Sequence, residues 1–87
     1  MTNIYIYCLF DGTGQFMGVY SSIKAAHRDA LKLANSGNSN VYLQTDEGLK
    51  EPDIGLLSNI FKGKCDIIVK YRGGKTTSNI LKTRLKE

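Results

Sequence analysis

The sequence predicts a small α+β fold, an antiparallel-rich sheet in ββαβαββ order with one main helix packed on a face. Three observations lead there. Residues 4–10 form a β-branched and aromatic run. Apolar side chains then recur at helical spacing from Ile23 to Ala34. Two further β-rich runs, 41–45 and 66–72, flank a second short helical stretch. Eighty-seven residues make one domain, 1–87, because a chain of this size buries only about 60% of its unfolded surface in one thin core. Little area remains for a large internal active site, so binding on the outer surface is the default expectation.

Ile4, Tyr5, Ile6, Tyr7, Cys8, Leu9 and Phe10 are apolar on both alternating faces, which predicts an inner strand over 3–10. Asp11, Gly12, Thr13 and Gly14 supply turn chemistry, and 16–20 returns as the second strand of a hairpin. Ser21 and Ser22 are capping residues for a helix over 22–35. Ile23, Ala26, His27, Ala30, Leu33 and Ala34 face inward there, opposite Lys24, Arg28, Asp29 and Lys32. Asn35, Ser36 and Gly37 end it, Gly37 being suited to the left-handed position beyond a helix. Residues 41–45 form a third strand, closed by Asp46, Glu47 and Gly48 and expected beside the first. Pro52 suits the first turn of a short helix through Phe61, with Ile54, Leu57, Ile60 and Phe61 on one side and Gly63 past its end. Ile67, Ile68 and Val69 centre a fourth strand over 66–72.

The last twelve residues read as a strand in preference to a helix. Thr77, Asn79, Leu81, Thr83 and Leu85 alternate with Ser78, Ile80, Lys82, Arg84 and Lys86. A two-residue turn at Gly73 and Gly74 would set Lys82 and Arg84 beside Ile67 and Val69 and bury charge. A three-residue turn with Gly74 left-handed is therefore expected. It puts Leu81 and Leu85 on the apolar face and gathers Lys70, Lys82, Arg84 and Lys86 on the other.

Charge divides the chain. Residues 1–60 hold four basic and six acidic side chains, a net of −2, whereas 61–87 hold eight basic groups against Asp66 and Glu87, a net of +6. Those eight are Lys62, Lys64, Lys70, Arg72, Lys75, Lys82, Arg84 and Lys86. A like-charge cluster repels itself, so confinement to one segment points either to a solubilising surface or to a polyanionic partner. Tyr5, Tyr7 and Tyr42 occupy strand positions. Tyr5 and Tyr7 share a face, and rings left open there would be stacking candidates for single-stranded bases; the competing expectation packs them under the second helix or in an oligomer interface.

Other chemistry fails on spacing. Gly74, Lys75 and Thr76 resemble the end of a phosphate-binding loop, but the place five before Gly74 is Val69 rather than glycine. Gly12 and Gly14 lack the third glycine of a dinucleotide fingerprint. His27 stands alone on an apolar helix face, which fits a core or boundary histidine better than a catalytic base. Cys8 and Cys65 lie 57 positions apart with no metal spacing, so free buried thiols are expected, and no metal or cofactor. No Lys or Arg occurs in the first twenty positions, and the longest apolar run is seven residues against about 20 for a bilayer span. A cytoplasmic protein with no membrane association is expected.

The opening run 4–10, then Asp11-Gly12, Gly18-Val19-Tyr20-Ser21-Ser22 and a Lys/Ala-rich helix, resembles the small accessory proteins of large tailed phages. The resemblance covers about the first half and carries no catalytic motif. It implies a protein that binds and disables or redirects a host factor. With the basic second half, it is similar to the RNA-binding inhibitors of the ToxN ribonuclease toxin in T4-like phages, anti-defence proteins of the host cytoplasm. The functional expectation is a non-enzymatic nucleic-acid-binding protein, RNA before DNA, that uses its basic carboxyl-terminal face. The alternative is a protein-binding inhibitor of a host enzyme or toxin that uses no nucleic acid. A second copy of the chain is a further candidate partner.

Overall fold

A computed structural model describes residues 4–35 and 40–85. Eight elements follow one another as β1 (Tyr5–Asp11), β2 (Phe16–Tyr20), α1 (Ile23–Ala34), β3 (Tyr42–Thr45), β4 (Gly48–Lys50), α2 (Ile54–Phe61), β5 (Ile67–Arg72) and β6 (Thr77–Arg84). The strands form one antiparallel sheet in the order β2-β1-β6-β5-β3-β4, and both helices pack on the same face. The fold is the expected α+β class with a strand at the chain's end. It has one strand more than expected, since Asp46 and Glu47 turn the chain into β4. Gly48 takes φ 112° there, and the Thr45 hydroxyl donates to the Gly48 carbonyl at 2.9 Å. β3 lies beside β5 instead of β1, because β6 inserts between β1 and β5.

Ser22 caps α1 by accepting the Ala25 N–H at 3.2 Å, and Asp53 caps α2 by accepting the Leu56 N–H at 3.1 Å. Pro52 thus precedes the α2 cap instead of opening its first turn. The residue expected past the end of α1, Gly37, lies outside the described residues. The far end of α1 is closed by the β5–β6 turn. Gly73 packs against the Ala34 carbonyl so closely that a β-carbon there would clash, and the Thr76 hydroxyl donates to Ala34 O at 2.8 Å. The Gly-Lys-Thr sequence that resembles a phosphate loop is a turn docked on a helix end.

The core lies between the helices and one sheet face. Leu9, Leu43, Val69, Tyr71 and Ile80 rise from the strands against Ala26, Ala30, Ala34, Leu57 and Phe61. Each fully buried large side chain contributes about 1.5–3 kcal/mol relative to exposure. Leu33 and Ile23 are half-buried at the margin of this core.

Register is where the sequence expectation fails. Arg72 pairs with Thr77 across a four-residue turn, so Ile67 faces Lys82, Val69 faces Ile80 and Tyr71 faces Ser78. Lys82 and Arg84 therefore stand on the helix-covered face, and Leu81 and Leu85 on the other. The buried charge that argued against this register is satisfied: Lys82 Nζ donates to Phe61 O at 2.7 Å and lies 4.5 Å from the centre of the Tyr5 ring. Gly74 is not left-handed; Gly14, Gly48, Gly63 and Asp66 are the described residues with positive φ.

Candidate nucleic-acid interface

No described helix or loop packs over the second face of the sheet, and cross-strand pairing arranges that face in rows. One row crosses all six strands as Phe16, Phe10, Asn79, Lys70, Gln44 and Leu49. The row towards the β5–β6 turn reads Thr77, Arg72 and Tyr42. On the other side comes Val19, Cys8, Leu81 and Ile68, followed by Ile6 and Thr83. Asp66 extends this last row, since its carboxylate accepts the Thr83 hydroxyl at 2.6 Å. The open face is thus divided: cations, amides and one phenol towards the β5–β6 turn, aliphatic groups towards the opposite end.

In the polar half, Lys70 and Arg72 project from alternate positions of β5, and Lys75 extends from the following turn. Arg72 Nη1 donates to Gln44 Oε1 at 3.2 Å, which ties the guanidinium to β3, where Tyr42 is the cross-strand partner of Arg72. Neighbouring strands stand about 4.8 Å apart, so these groups share a patch within reach of two or three nucleotides.

Of the eight basic residues expected to contact nucleic acid, the four expected on one face, Lys70, Lys82, Arg84 and Lys86, are not gathered there, since Lys70 and Lys82 stand on opposite faces. Lys70 and Arg72 belong to this corner, and Lys75, on the adjoining turn, borders a recess with Asp11, Thr13 and Leu33. Lys82 is 7% exposed and engaged in the core. Lys62 and Lys64 lie in the α2–β5 loop, and Arg84 at the far end of β6 on the helix side, all exposed. Lys86 is outside the described residues. The stacking candidates divide similarly. Tyr7 is buried, its ring centre 5.7 Å from that of Phe61, and burial followed by the neighbouring Tyr5 raises its phenol pKa above the ordinary value. Tyr5 shares that face and covers the Lys82 ammonium. The arrangement under the second helix, weighed against an open face, is the one adopted; of the three rings Tyr42 alone faces outward on the open side.

Asn79 was missed because the expected register turned it and Lys70 to opposite faces, and Gln44 because β3 was expected beside β1 instead of β5. Cys8 was expected to be buried; it is half-buried on the open face, and both cysteines are free thiols. His27 is buried and joined to Tyr71, and burial lowers its pKa. Among the described residues no group of three or more His, Cys, Asp or Glu side chains is placed to hold a metal ion, and no helix is long and apolar enough to cross a membrane. Comparison of the chain with protein families, curated proteins and solved structures finds no match.

Proposed function

We propose that this protein is a small RNA-binding module with no chemistry of its own, which seats single-stranded RNA on the polar half of its open sheet face. The observation that carries the reading is the convergence of Lys70 and Arg72 with the outward Tyr42 ring and the Gln44 and Asn79 amides on an uncovered surface, with the exposed Lys75 on the adjoining turn. The cations take phosphates, Tyr42 offers a stacking plane, and the amides reach base edges. The resemblance of the first half to phage accessory proteins supports a role in the host cytoplasm as an anti-defence factor, holding RNA in place of, or against, a ribonuclease toxin. A second reading, an inhibitor that binds a host enzyme or toxin without nucleic acid, is favoured by the aliphatic row Val19, Cys8, Leu81 and Ile68.

Fluorescence anisotropy with an unrelated single-stranded RNA of about 20 nucleotides separates the two. Three neutralised phosphates give a slope of log affinity against log salt near −2, at about 0.7 per phosphate. Arg72→Glu/Lys75→Glu abolishes most of the binding and flattens the slope. Binding indifferent to that reversal, or none at low salt, defeats the RNA reading.

A further inference from the structure

We infer that the aliphatic half of the open face is closed by a second copy of this chain, the two sheets stacking about a two-fold axis that runs along the Val19, Cys8, Leu81 and Ile68 row. This goes beyond the RNA reading and does not depend on it. Val19 is 55% and Ile68 62% exposed, and no charged side chain interrupts the row. Large exposed aliphatics in one contiguous patch mark an interaction surface.

The rows on either side argue for a copy of the same chain as the occupant. Above the axis, β1, β6 and β5 contribute Phe10, Asn79 and Lys70; below it they contribute Ile6 and Thr83, with Asp66 just ahead of β5. A half-turn about the central row exchanges upper and lower rows while each strand stays over its own counterpart. Lys70 then lies over the partner's Asp66, Asn79 over the partner's Thr83 and Phe10 over the partner's Ile6. The aliphatic residues meet their own copies. A half-turn about an axis along β6 would instead set Lys70 over the partner's Phe10 and Asp66 over the partner's Ile6, facing both charges with apolar groups. Lys70, on the polar side of the central row, and the Asp66 carboxylate, on its other side, therefore match each other under one symmetry operation, as an isologous contact requires.

Four strands about 4.8 Å apart and three rows about 7 Å apart make a patch of roughly 400 Å² per copy, below the ~800 Å² per partner of standard interfaces. The dimer is accordingly weak, with a dissociation constant on the order of 10–100 μM. Arg72, Lys75 and Tyr42 lie at or beyond the rim of this footprint and stay available to RNA, whereas Lys70 and Asn79 fall inside it, so RNA and the second copy compete for that row.

Sedimentation equilibrium of the purified chain without nucleic acid, up to about 500 μM, tests the inference apart from RNA binding. The expected result is a monomer–dimer equilibrium that Ile68→Glu, at an exposed position, weakens at least about tenfold. Lys70→Gln and Asp66→Asn each weaken it about three- to tenfold, and the double variant no more than either alone. Asn is chosen because Asp66 has φ 58°, a conformation Asn tolerates. A monomer throughout the range, a dimer indifferent to Ile68→Glu, or strict additivity of the two charge variants overturns the inference.

Discussion

His27 Nδ1 lies 2.6 Å from the Tyr71 hydroxyl oxygen, joining α1 to β5 inside the core between residues 44 positions apart. Burial lowers the pKa of His27, with the Asp53 charge acting in the opposite direction, and burial raises that of Tyr71. Both side chains are therefore neutral at pH 7. Either neutral tautomer makes the bond: the phenol donates to Nδ1 when the histidine proton is on Nε2, and Nδ1–H donates to the phenol oxygen when it is not.

This pair makes stability pH-dependent. In the unfolded chain His27 takes up a proton near its ordinary value of 6.5, and in the native protein only at lower pH. Below about pH 6.5 the unfolded state thus binds more protons, so stability falls with pH until the native histidine is also charged. Urea midpoints should drop between about pH 7 and pH 5, and NMR titration of this single histidine should give a pKa below 6.5.

Tyr71→Phe removes the hydroxyl and leaves Nδ1 buried without a partner, at a cost of about 1–3 kcal/mol. It should also move the histidine titration. Equal stability of Tyr71→Phe and wild type in urea melts at neutral pH would show that the bond contributes nothing.

Lys82 tests the register. Phe61 O also accepts the Lys64 N–H at 3.1 Å, so Lys82→Met leaves no orphaned carbonyl and retains the packing of the aliphatic stem. It should change stability by less than about 1.5 kcal/mol. Lys82→Glu turns a carboxylate towards that carbonyl and should cost roughly 3 kcal/mol or more. RNA affinity should be unchanged in Lys82→Met, checked by anisotropy at one salt concentration.

At the β5–β6 turn, Gly73→Ala forces a β-carbon against the Ala34 carbonyl and should cost about 1–3 kcal/mol in thermal or urea melts. Thr76→Val, which deletes the hydroxyl on the same carbonyl, should cost about 1 kcal/mol.

Much of the fold was legible because local signals agreed. The apolar run of β1, the helical spacing and Ser22 cap of α1, and the alternation of β6 each identify their elements without reference to the rest. β4 escaped because Gly48, Leu49 and Lys50 hold a single apolar side chain, too short a stretch to show a period. The candidate site was legible in composition and illegible in geometry. A rule against burying charge set the β5–β6 register three residues off, an odd number of single steps. That rule fails where a lysine finds a carbonyl and a tyrosine ring inside, as Lys82 does with Phe61 O and Tyr5. One step of register moves every side chain of a strand to the opposite face. A single misjudged cation thus put Lys82 and Arg84 with Lys70, and hid the row that joins Lys70 to Asn79, Gln44 and Phe10.

The central claim is that RNA lies on the polar half of the open face, and mapping amide chemical shifts on addition of a single-stranded RNA of about 20 nucleotides tests it most directly. The account predicts saturable shifts at Tyr42, Gln44, Lys70, Arg72, Lys75 and Thr77, lost in Arg72→Glu/Lys75→Glu, with the Lys62, Lys64 and Arg84 amides unmoved. Shifts centred on Lys62, Lys64 and Arg84, or no shifts at low salt, would contradict it.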